Sequence, residues 1–385
     1  MKDKFLLRPD INYLNHGSFG ACPIPVFEEY QRFQRMLETE PLQFMTKTGV
    51  EYLDQSKQAL ADYINCEKED LIYVTNPSTA MNIVIKNLHL KQGDEVLTTN
   101  HEYGAMDRTW RYYCQKSGAK YVQQKISTPL ESREQFLEEF WSGLTDKTKV
   151  VFLSHITSPT ALIFPVDEVC KRAKELGLIT IVDGAHAPGH IPLDLNILDV
   201  DFYTGACHKW MCSPKGSSFL YADKSVQDML DPLIISWGYE SDNPSESQFQ
   251  DYHQYQGTRD FSAFLTTPAC IKFFKENNWE EEKAKCRAQL KHFYPLVAKE
   301  LNSTTICQLT DEFLGQICSI PVKTTRPVEL KELLYNKYKI EIPVFNNVGP
   351  VIYLRISFQP YSSEVDYIDL ITALRDIKST TTLIQ

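Results

Sequence analysis

Two residues have the types and the positions that amine chemistry requires. Asp183 ends the apolar run 178–182, and Lys209 follows the apolar run 200–203. A carboxylate at the end of a buried strand needs a proton-bearing or cationic partner, because an unpaired buried charge is costly. A lysine among apolar neighbours has a lowered pKa, so its amine can act as a nucleophile. The pair predicts a site that holds a protonated aromatic heterocycle by an amine and a carboxylate.

Other strand ends carry polar residues that suit the same kind of ligand. Asn76 and Pro77 are typical of the cap and first turn of a helix. The free N–H groups of that helix start, with the hydroxyls of Ser78 and Thr79, would form an anion site. Tyr103 follows the next strand and could stack on a planar ring. Amine, carboxylate and anion site together are what pyridoxal 5′-phosphate (PLP) requires.

Strands and helices alternate along the middle of the sequence and position these residues. Such alternation predicts an α/β fold with a mostly parallel sheet covered by helices on both faces. Ligands bind beyond the carboxyl ends of the strands in sheets of this kind. The predicted strands are 71–74, 95–98, 119–123, 149–153, 178–182, 200–203 and 216–221. The predicted helices among them are 77–88, 103–116 and 166–176.

The pattern changes after Thr267, which predicts a second, smaller domain. We expect three parts: an N-terminal segment, 1–40, packed on the large domain or on a partner, a large PLP-binding α/β domain, 41–267, and a small C-terminal α+β domain, 268–385. The first part contains a predicted helix at 26–38. The last part contains predicted helices at 268–277, 279–301, 328–337 and 363–376 and predicted strands at 316–322 and 351–356.

Composition excludes several classes of function. The 385 residues are 43% hydrophobic and carry a formal net charge of -10, which argues against a nucleic-acid or anionic-membrane partner. No apolar stretch approaches the roughly 20 residues of a membrane span, and no apolar run follows the charged residues 1–10. The ten cysteines are scattered without a CxxC pair. We therefore expect a cytoplasmic protein with reduced thiols.

The sequence also resembles a known family. The resemblance is carried by IVDGAHAPGHIPLD and the following DFYTGACHKWMCSPKGSSFLY, which look like the class V aminotransferase group of fold-type-I PLP enzymes. Within the group they are most similar to isopenicillin N epimerase-like proteins and related C–S lyases. Supporting runs in matching order over nearly the whole chain are YLNHGSFG, HEYGAMDRTW, SHITSPTALIFPV, QYQGTRDFSAFL and YLRIS. The resemblance implies PLP as cofactor and a large domain with a mostly parallel central sheet.

The resemblance implies roles around the cofactor ring. Lys209 would form the Schiff base with PLP and move protons in catalysis. Asp183 would pair with the pyridine nitrogen. His186 and Ser158 would lie near the phenolic oxygen O3′, and Tyr103 would stack on the ring.

It also implies how the phosphate is bound. Ser78, Thr79 and His208 would contact it within one subunit. Thr258 of the GTRD run would reach it from the neighbouring subunit, so the enzyme would be a homodimer. Many relatives have a serine where this chain has Ala206, and that departure leaves the sharing of phosphate contacts open.

The substrate would be an amino acid bound by residues from both ends of the chain. Arg355 would take its α-carboxylate in a bidentate pair, which guanidinium geometry favours. Asn15 and His16 would face the substrate.

The reaction itself stays open at this stage. Desulfurases of this fold carry a persulfide-forming cysteine shortly before the carboxylate arginine, and the run 340–354 contains none, so desulfurase activity is disfavoured. Lys209 can serve epimerisation or racemisation, C–S elimination, or transamination, because each begins with a base acting at Cα. An epimerase-like or lyase-like enzyme for a bulky or sulfur-containing amino acid is the preferred hypothesis, and transamination is the alternative.

Two further hypotheses use the same residues differently. Asp183, His186 and His190 form D-x-x-H-x-x-x-H, which could belong to a divalent-metal hydrolase. Against it, Pro188 and Gly189 break the helix that would align the two histidines. A PLP-fold protein that binds but does not catalyse is the other, and the intact Asp–Lys pair argues against it.

Overall fold

The computed structural model describes residues 1–385, apart from the side chains of residues 347 and 348. Its strands are β1 (Asn12–Tyr13), β2 (Leu71–Val74), β3 (Glu95–Thr99), β4 (Lys120–Gln124), β5 (Thr148–Ser154), β6 (Ile179–Asp183), β7 (Phe202–Gly205), β8 (Ser218–Ala222), β9 (Ile317–Pro321), β10 (Ile340–Glu341), β11 (Val344–Val348) and β12 (Val351–Ser357).

The α-helices are α1 (His16–Phe19), α2 (Ile24–Thr39), α3 (Pro41–Gln43), α4 (Gly49–Ile64), α5 (Pro77–Lys86), α6 (Gly104–Ser117), α7 (Arg133–Trp141), α8 (Val166–Glu175), α9 (Leu195–Leu198), α10 (Gln248–Gln254), α11 (Thr267–Glu276), α12 (Trp279–Glu300), α13 (Pro327–Asn336) and α14 (Glu364–Thr380). No helix in the described part of the chain is long and apolar enough to cross a bilayer.

The central sheet has seven strands in the order β2-β8-β7-β6-β5-β3-β4. Neighbours from β7 to β4 pair in parallel, whereas β8 is antiparallel to both β7 and β2. The α/β class with a mostly parallel sheet, predicted from the sequence, is therefore confirmed.

Both faces of this sheet are covered, which explains the continuous apolar runs of its strands. In β2, Leu71 and Tyr73 belong to one buried cluster, and Ile72 and Val74 belong to another. Successive side chains of a strand point to opposite faces, so the two clusters lie on opposite sides of the sheet.

A second, antiparallel sheet has the order β11-β12-β9. Arg355 lies in its middle strand and pairs across the sheet with Ser319 of β9. The N-terminal segment reaches the same region, because Asn12 of β1 pairs in parallel with Ile340 of β10. Residues from both ends of the chain can thus meet the central sheet at one place.

Most predicted elements agree with the structure to within two residues at each end. The elements that were not predicted are the helices α1, α3, α4, α7, α9 and α10 and the strands β1, β10 and β11. The division into segments 1–40, 41–267 and 268–385 stays a prediction.

Candidate active site

A cavity of about 560 Å³ opens at the carboxyl edge of the central sheet. The ends of β5, β6 and β7 meet there, since Ser154, Asp183 and Thr204 are register partners. This volume is within the range of small-molecule sites. Eight of the twelve predicted site residues line it, namely Ser78, Tyr103, Ser158, Asp183, His186, His208, Lys209 and Arg355.

Lys209 carries the amine of the cavity. Its Nζ lies 3.0 Å from Nε2 of His186. The pKa of Lys209 is lowered from 10.5 to about 8, mainly by burial and also by the positive charge of Arg355, whereas Asp183 acts in the opposite direction. The amine is therefore far more available as a free base than that of an exposed lysine.

Asp183 is a buried carboxylate that lacks a cationic partner within bonding distance. Its side chain is 4% exposed, and Oδ1 accepts a hydrogen bond from the Ala185 N–H at 3.0 Å. Burial raises the pKa of this carboxyl. Among the described residues it forms no salt bridge, so a cationic group of a ligand would offset the cost of burying it.

A second buried acid, Glu102, lies close to the cavity and was given no role in the sequence analysis. Its two oxygens accept hydrogen bonds from the hydroxyls of Thr99 and Ser154, both at 2.6 Å. The pKa of Glu102 is raised to about 8, mainly by burial; the two hydroxyl hydrogen bonds lower this pKa, and the charge of Asp183 raises it. The same signal that singled out Asp183, an acid at the end of an apolar strand, was available for Glu102.

The start of α5 forms one wall of the cavity. The Asn76 side chain caps this helix by accepting from the Thr79 N–H at 2.9 Å, and the Thr79 hydroxyl also contacts Asn76 Oδ1. Thr79 thus closes the cap and does not line the cavity, whereas Ser78 does. The positive end of a helix with a facing hydroxyl suits an anion.

His208 lies on the cavity wall beside Lys209. Its Nδ1 lies 2.8 Å from the carbonyl oxygen of Ser217, which accepts the hydrogen bond. Burial lowers the pKa of His208 to about 4. In the neutral ring Nε2 therefore carries no proton, so a donor role toward phosphate requires that His208 take up a proton.

Arg355 is a buried cation held by oxygens that carry no charge. Nη1 donates to the carbonyl oxygen of Ser158 at 2.6 Å and to its hydroxyl at 3.3 Å, and Nη2 donates to the Ser18 hydroxyl at 2.9 Å. Ser18 in turn donates to Asn15 Oδ1 at 2.5 Å. Asn15 is thus connected to Arg355 through Ser18 and does not itself line the cavity. Burial lowers the pKa of Arg355 to about 10.

The structure leaves two other predicted residues outside the cavity. His16 is buried behind Lys209, where Nδ1 lies 2.9 Å from the Tyr361 hydroxyl and Nε2 lies 3.1 Å from the Lys209 carbonyl oxygen. Thr258 is exposed at the surface and does not line the cavity. The substrate role of His16 and the contact of Thr258 with a neighbouring subunit stay predictions.

The rival metal site finds no support in the geometry. His190 Nε2 accepts from the Gln316 N–H at 2.6 Å, and His190 Nδ1 lies 2.9 Å from the His186 carbonyl oxygen. Both ring nitrogens are thus engaged by the main chain. Within the part of the chain that the structure describes, no group of three or more histidine, cysteine or acidic side chains could hold a metal ion.

Comparison with solved structures shows a shared fold. The apo cysteine desulfurase of Thermococcus onnurineus NA1 matches with a TM-score of 0.84 and 19% identity, covering 98% of this chain and 96% of that one. A variant of C-DES with glycine covalently linked to its PLP cofactor matches with a TM-score of 0.83 and 20% identity, covering 98% and 99%. The chain therefore has the fold-type-I α/β fold, with its cavity at the carboxyl edge of the central sheet.

Sequence comparison gives the family. The class-V aminotransferase model matches residues 21–367, so the chain belongs to that family. Isopenicillin N epimerase of Streptomyces clavuligerus is 30% identical over 377 residues, which are 95% of each chain. A probable chloroplastic L-cysteine desulfhydrase of Arabidopsis thaliana is 26% identical over 93% of this chain and 81% of its own. The family and enzyme class predicted from the sequence are confirmed.

Proposed function

We propose that this protein is a PLP-dependent enzyme that removes the α-proton of an amino acid, with Lys209 both binding the cofactor covalently and acting as the base. The observation that carries the proposal is the position of one amine in a cavity whose wall holds a buried carboxyl group, Asp183, and a buried guanidinium group, Arg355. Neither has a counter-ion among the described residues. PLP, when bound, supplies an electron sink for the negative charge left at Cα.

Lys209 is suited to both tasks because its amine is accessible from the cavity and has a lowered pKa. An unprotonated amine is the form that attacks an aldehyde and the form that accepts a proton. The adjacent His186 contacts Nζ and keeps the amine oriented.

Asp183 holds the cofactor ring by its protonated nitrogen. A cation at this place would offset the desolvation of the buried carboxylate and favour its ionised form. The Ala185 N–H fixes one carboxylate oxygen and leaves the other available to the ring.

The opposite end of the cofactor is bound by the start of α5. The Ser78 hydroxyl and the positive end of this helix would bind the phosphate, and His208 would add a donor after it takes up a proton. Tyr103, which is 43% exposed at the cavity, covers the ring.

Arg355 binds the α-carboxylate of the substrate. Ser158 and Ser18 hold its guanidinium group without neutralising it, so its charge is available to a ligand. This arrangement selects for amino acids with a free carboxylate, while it does not determine the side chain.

We propose epimerisation or C–S elimination as the reaction, because both follow directly from α-proton removal by one base. Transamination is the alternative. Relatives named isopenicillin N epimerase and L-cysteine desulfhydrase support the two preferred reactions. A persulfide-based desulfurase mechanism is disfavoured, since the run 340–354 has no cysteine and Cys318 is buried in β9.

Incubation with an amino-acid panel in heavy water tests the proposal and separates the reactions. Deuterium at Cα with loss of optical activity indicates epimerisation, pyruvate with sulfide indicates C–S elimination, and a keto acid that matches the substrate indicates transamination. If borohydride fixes PLP on a residue other than Lys209, the proposal is wrong.

We also propose a cytoplasmic homodimer in which Thr258 reaches the phosphate of the other subunit. The exposed position of Thr258 supports the contact with another subunit. The ten free cysteines support a reducing compartment. Light scattering gives the mass of the particle. Mixing Lys209→Ala subunits with Thr258→Val subunits tests whether one active site uses residues of both subunits. A mixed dimer would then have one site with both Lys209 and Thr258 intact, so the mixture should regain activity.

A further inference from the structure

The hydrogen bond between Lys209 and His186 has a direction that is fixed from outside the cavity. Trp210 Nε1–H donates to His186 Nδ1 at 3.1 Å, and an indole nitrogen can only donate. Nδ1 therefore carries no proton. Burial holds the pKa of His186 well below its usual value, so the ring is neutral. Its proton must be on Nε2.

That proton faces the amine of the cavity. Nε2 of His186 lies 3.0 Å from Nζ of Lys209. When Nε2–H donates, Nζ must accept, and only an unprotonated amine has a lone pair with which to accept. A protonated lysine in this place would set two donors against each other.

The indole that fixes His186 is itself held by a second histidine. The Trp210 ring stacks on His190 with centroids 3.8 Å apart and planes at 15°. His190 Nε2 accepts from the Gln316 N–H, so its Nδ1–H donates to the His186 carbonyl oxygen. His190 therefore fixes both the face of the indole and the main chain of His186.

A third histidine fixes the main chain of Lys209. His16 Nδ1 accepts from the Ala21 N–H at 3.2 Å, so its Nε2–H donates to the Lys209 carbonyl oxygen at 3.1 Å. Gly20 has a φ of +60°, and a Cβ there would lie 2.6 Å from the same oxygen. The backbone on each side of the amine is thus closely packed.

We propose that Trp210 is a positioning residue that fixes His186 in the tautomer that donates to Lys209, and so holds the amine as a free base. This inference rests on the proposed function. His190 and His16 support the arrangement from behind, which gives the histidines of the D-x-x-H-x-x-x-H run a role other than metal binding. A donor at Nε2 also serves the predicted place of His186 beside the phenolic oxygen of the cofactor.

Other charges facing the pair remain unchanged when Trp210 is replaced. Asp183, Arg355 and His208 face Lys209, and Arg355, His190 and His16 face His186. A shift in pH dependence caused by Trp210→Phe can therefore be assigned to the lost N–H donor.

The test is the pH dependence of covalent PLP attachment to the full-length chain after removal of cofactor. Trp210→Phe keeps the stacked ring but removes the donor, so His186 can move its proton to Nδ1 and accept from a protonated amine. We expect the midpoint of the pH profile of the attachment rate to rise by about one pH unit. At a pH below the midpoint, attachment should then be about tenfold slower than in the wild-type protein.

Trp141→Phe is the matched control. Its indole is also buried, and among the described residues its Nε1 has no hydrogen-bond partner. We expect this variant to keep the midpoint of the wild-type protein. A shift as large as that of Trp210→Phe would mean that the loss of any buried indole perturbs the site, and would refute the proposal.

A double-mutant cycle separates positioning from general loosening. Phenylalanine at position 186 removes both ring nitrogens, so neither a donor nor an acceptor faces Lys209. Trp210→Phe in a His186→Phe background should therefore leave the midpoint where His186→Phe alone puts it. An equal shift in both backgrounds, or no shift with His186 present, would overturn the proposal.

Nitrogen chemical shifts of ¹⁵N-histidine in the wild-type protein test the tautomer without any Trp210 variant, with the His186 signals assigned through His186→Gln. Unprotonated Nδ1 with protonated Nε2 is the expected result, and the reverse would overturn the proposal. Failure of the wild-type chain to attach PLP at Lys209 would instead refute the proposed function.

Discussion

Replacing Arg355 by alanine tests whether a substrate carboxylate binds where the structure leaves a positive charge without a counter-ion. The guanidinium group donates to the Ser158 carbonyl oxygen and to the Ser18 hydroxyl, and is 5% exposed. A carboxylate that enters the cavity therefore meets an oriented cation that has already lost most of its water.

The expected magnitude follows from the bonds that would be lost. A bidentate pair contains two hydrogen bonds between charged groups, each worth about 1.5–3 kcal/mol when buried. Losing both raises the transition-state barrier by about 3–6 kcal/mol, so kcat/KM should fall by about 10²- to 10⁴-fold. We expect most of this loss in KM, because the carboxylate is bound in the ground state as well.

Steady-state kinetics with an amino acid and its carboxamide provide the control. The wild-type enzyme should discriminate strongly against the amide, and Arg355→Ala should lose that discrimination. Arg355→Lys keeps a positive charge without the planar guanidinium group, so its discrimination against the amide should lie between that of the wild-type enzyme and that of Arg355→Ala. Unchanged KM, or discrimination that persists in Arg355→Ala with normal PLP content, would refute the assignment of the carboxylate site.

Three further variants test the rest of the site. Lys209→Ala should lose covalent PLP, and a borohydride-fixed adduct in that variant, detected by mass spectrometry, would contradict the assignment. Asp183→Asn keeps the Ala185 hydrogen bond but not the charge, so turnover should fall about 10²-fold or more while PLP still binds; near-normal turnover would count against its role. Glu102 has a pKa of about 8 in the folded protein and 4.5 in the unfolded chain. Because the folded state keeps this proton longer, the free energy of unfolding falls as pH rises from 4.5 to about 8. Urea unfolding of Glu102→Gln should show a weaker decline, and identical slopes would disprove the raised pKa.

The large α/β part of the fold could be predicted because its strands, except the partly exposed edge strand β4, are buried on both faces along nearly their whole length. A strand such as 150–153 is then a continuous apolar run, and the polar residues after it mark the carboxyl edge where ligands bind. Asp183 and Lys209 were found in this way. Helix α4 was missed, although it buries Leu53, Leu60 and Ile64 against the core, because its apolar residues are interrupted by polar ones.

The parts of the site that depend on distant contacts could not be predicted. The substrate role of His16 stays a prediction, but the contact of its ring with the Tyr361 hydroxyl, 345 positions away along the chain, was not predicted. Asn15 reaches the cavity only through Ser18 and Arg355. Such contacts depend on how the C-terminal sheet meets the N-terminal segment, and no local periodicity encodes that arrangement.

The two uncompensated charges explain why this cavity suits PLP with an amino acid better than either component alone. Burying Asp183 or Arg355 without a counter-ion costs free energy in the empty protein. PLP with a protonated ring nitrogen would offset the first cost, and the α-carboxylate of the substrate would offset the second. Lys209 lines the same cavity. Asp183 would orient the PLP aldehyde that Lys209 attacks, and Arg355 would orient the amino acid whose α-proton Lys209 removes. A metal ion would satisfy Asp183 but would be repelled by Arg355, which is why the same residues favour an amino-acid enzyme over a hydrolase.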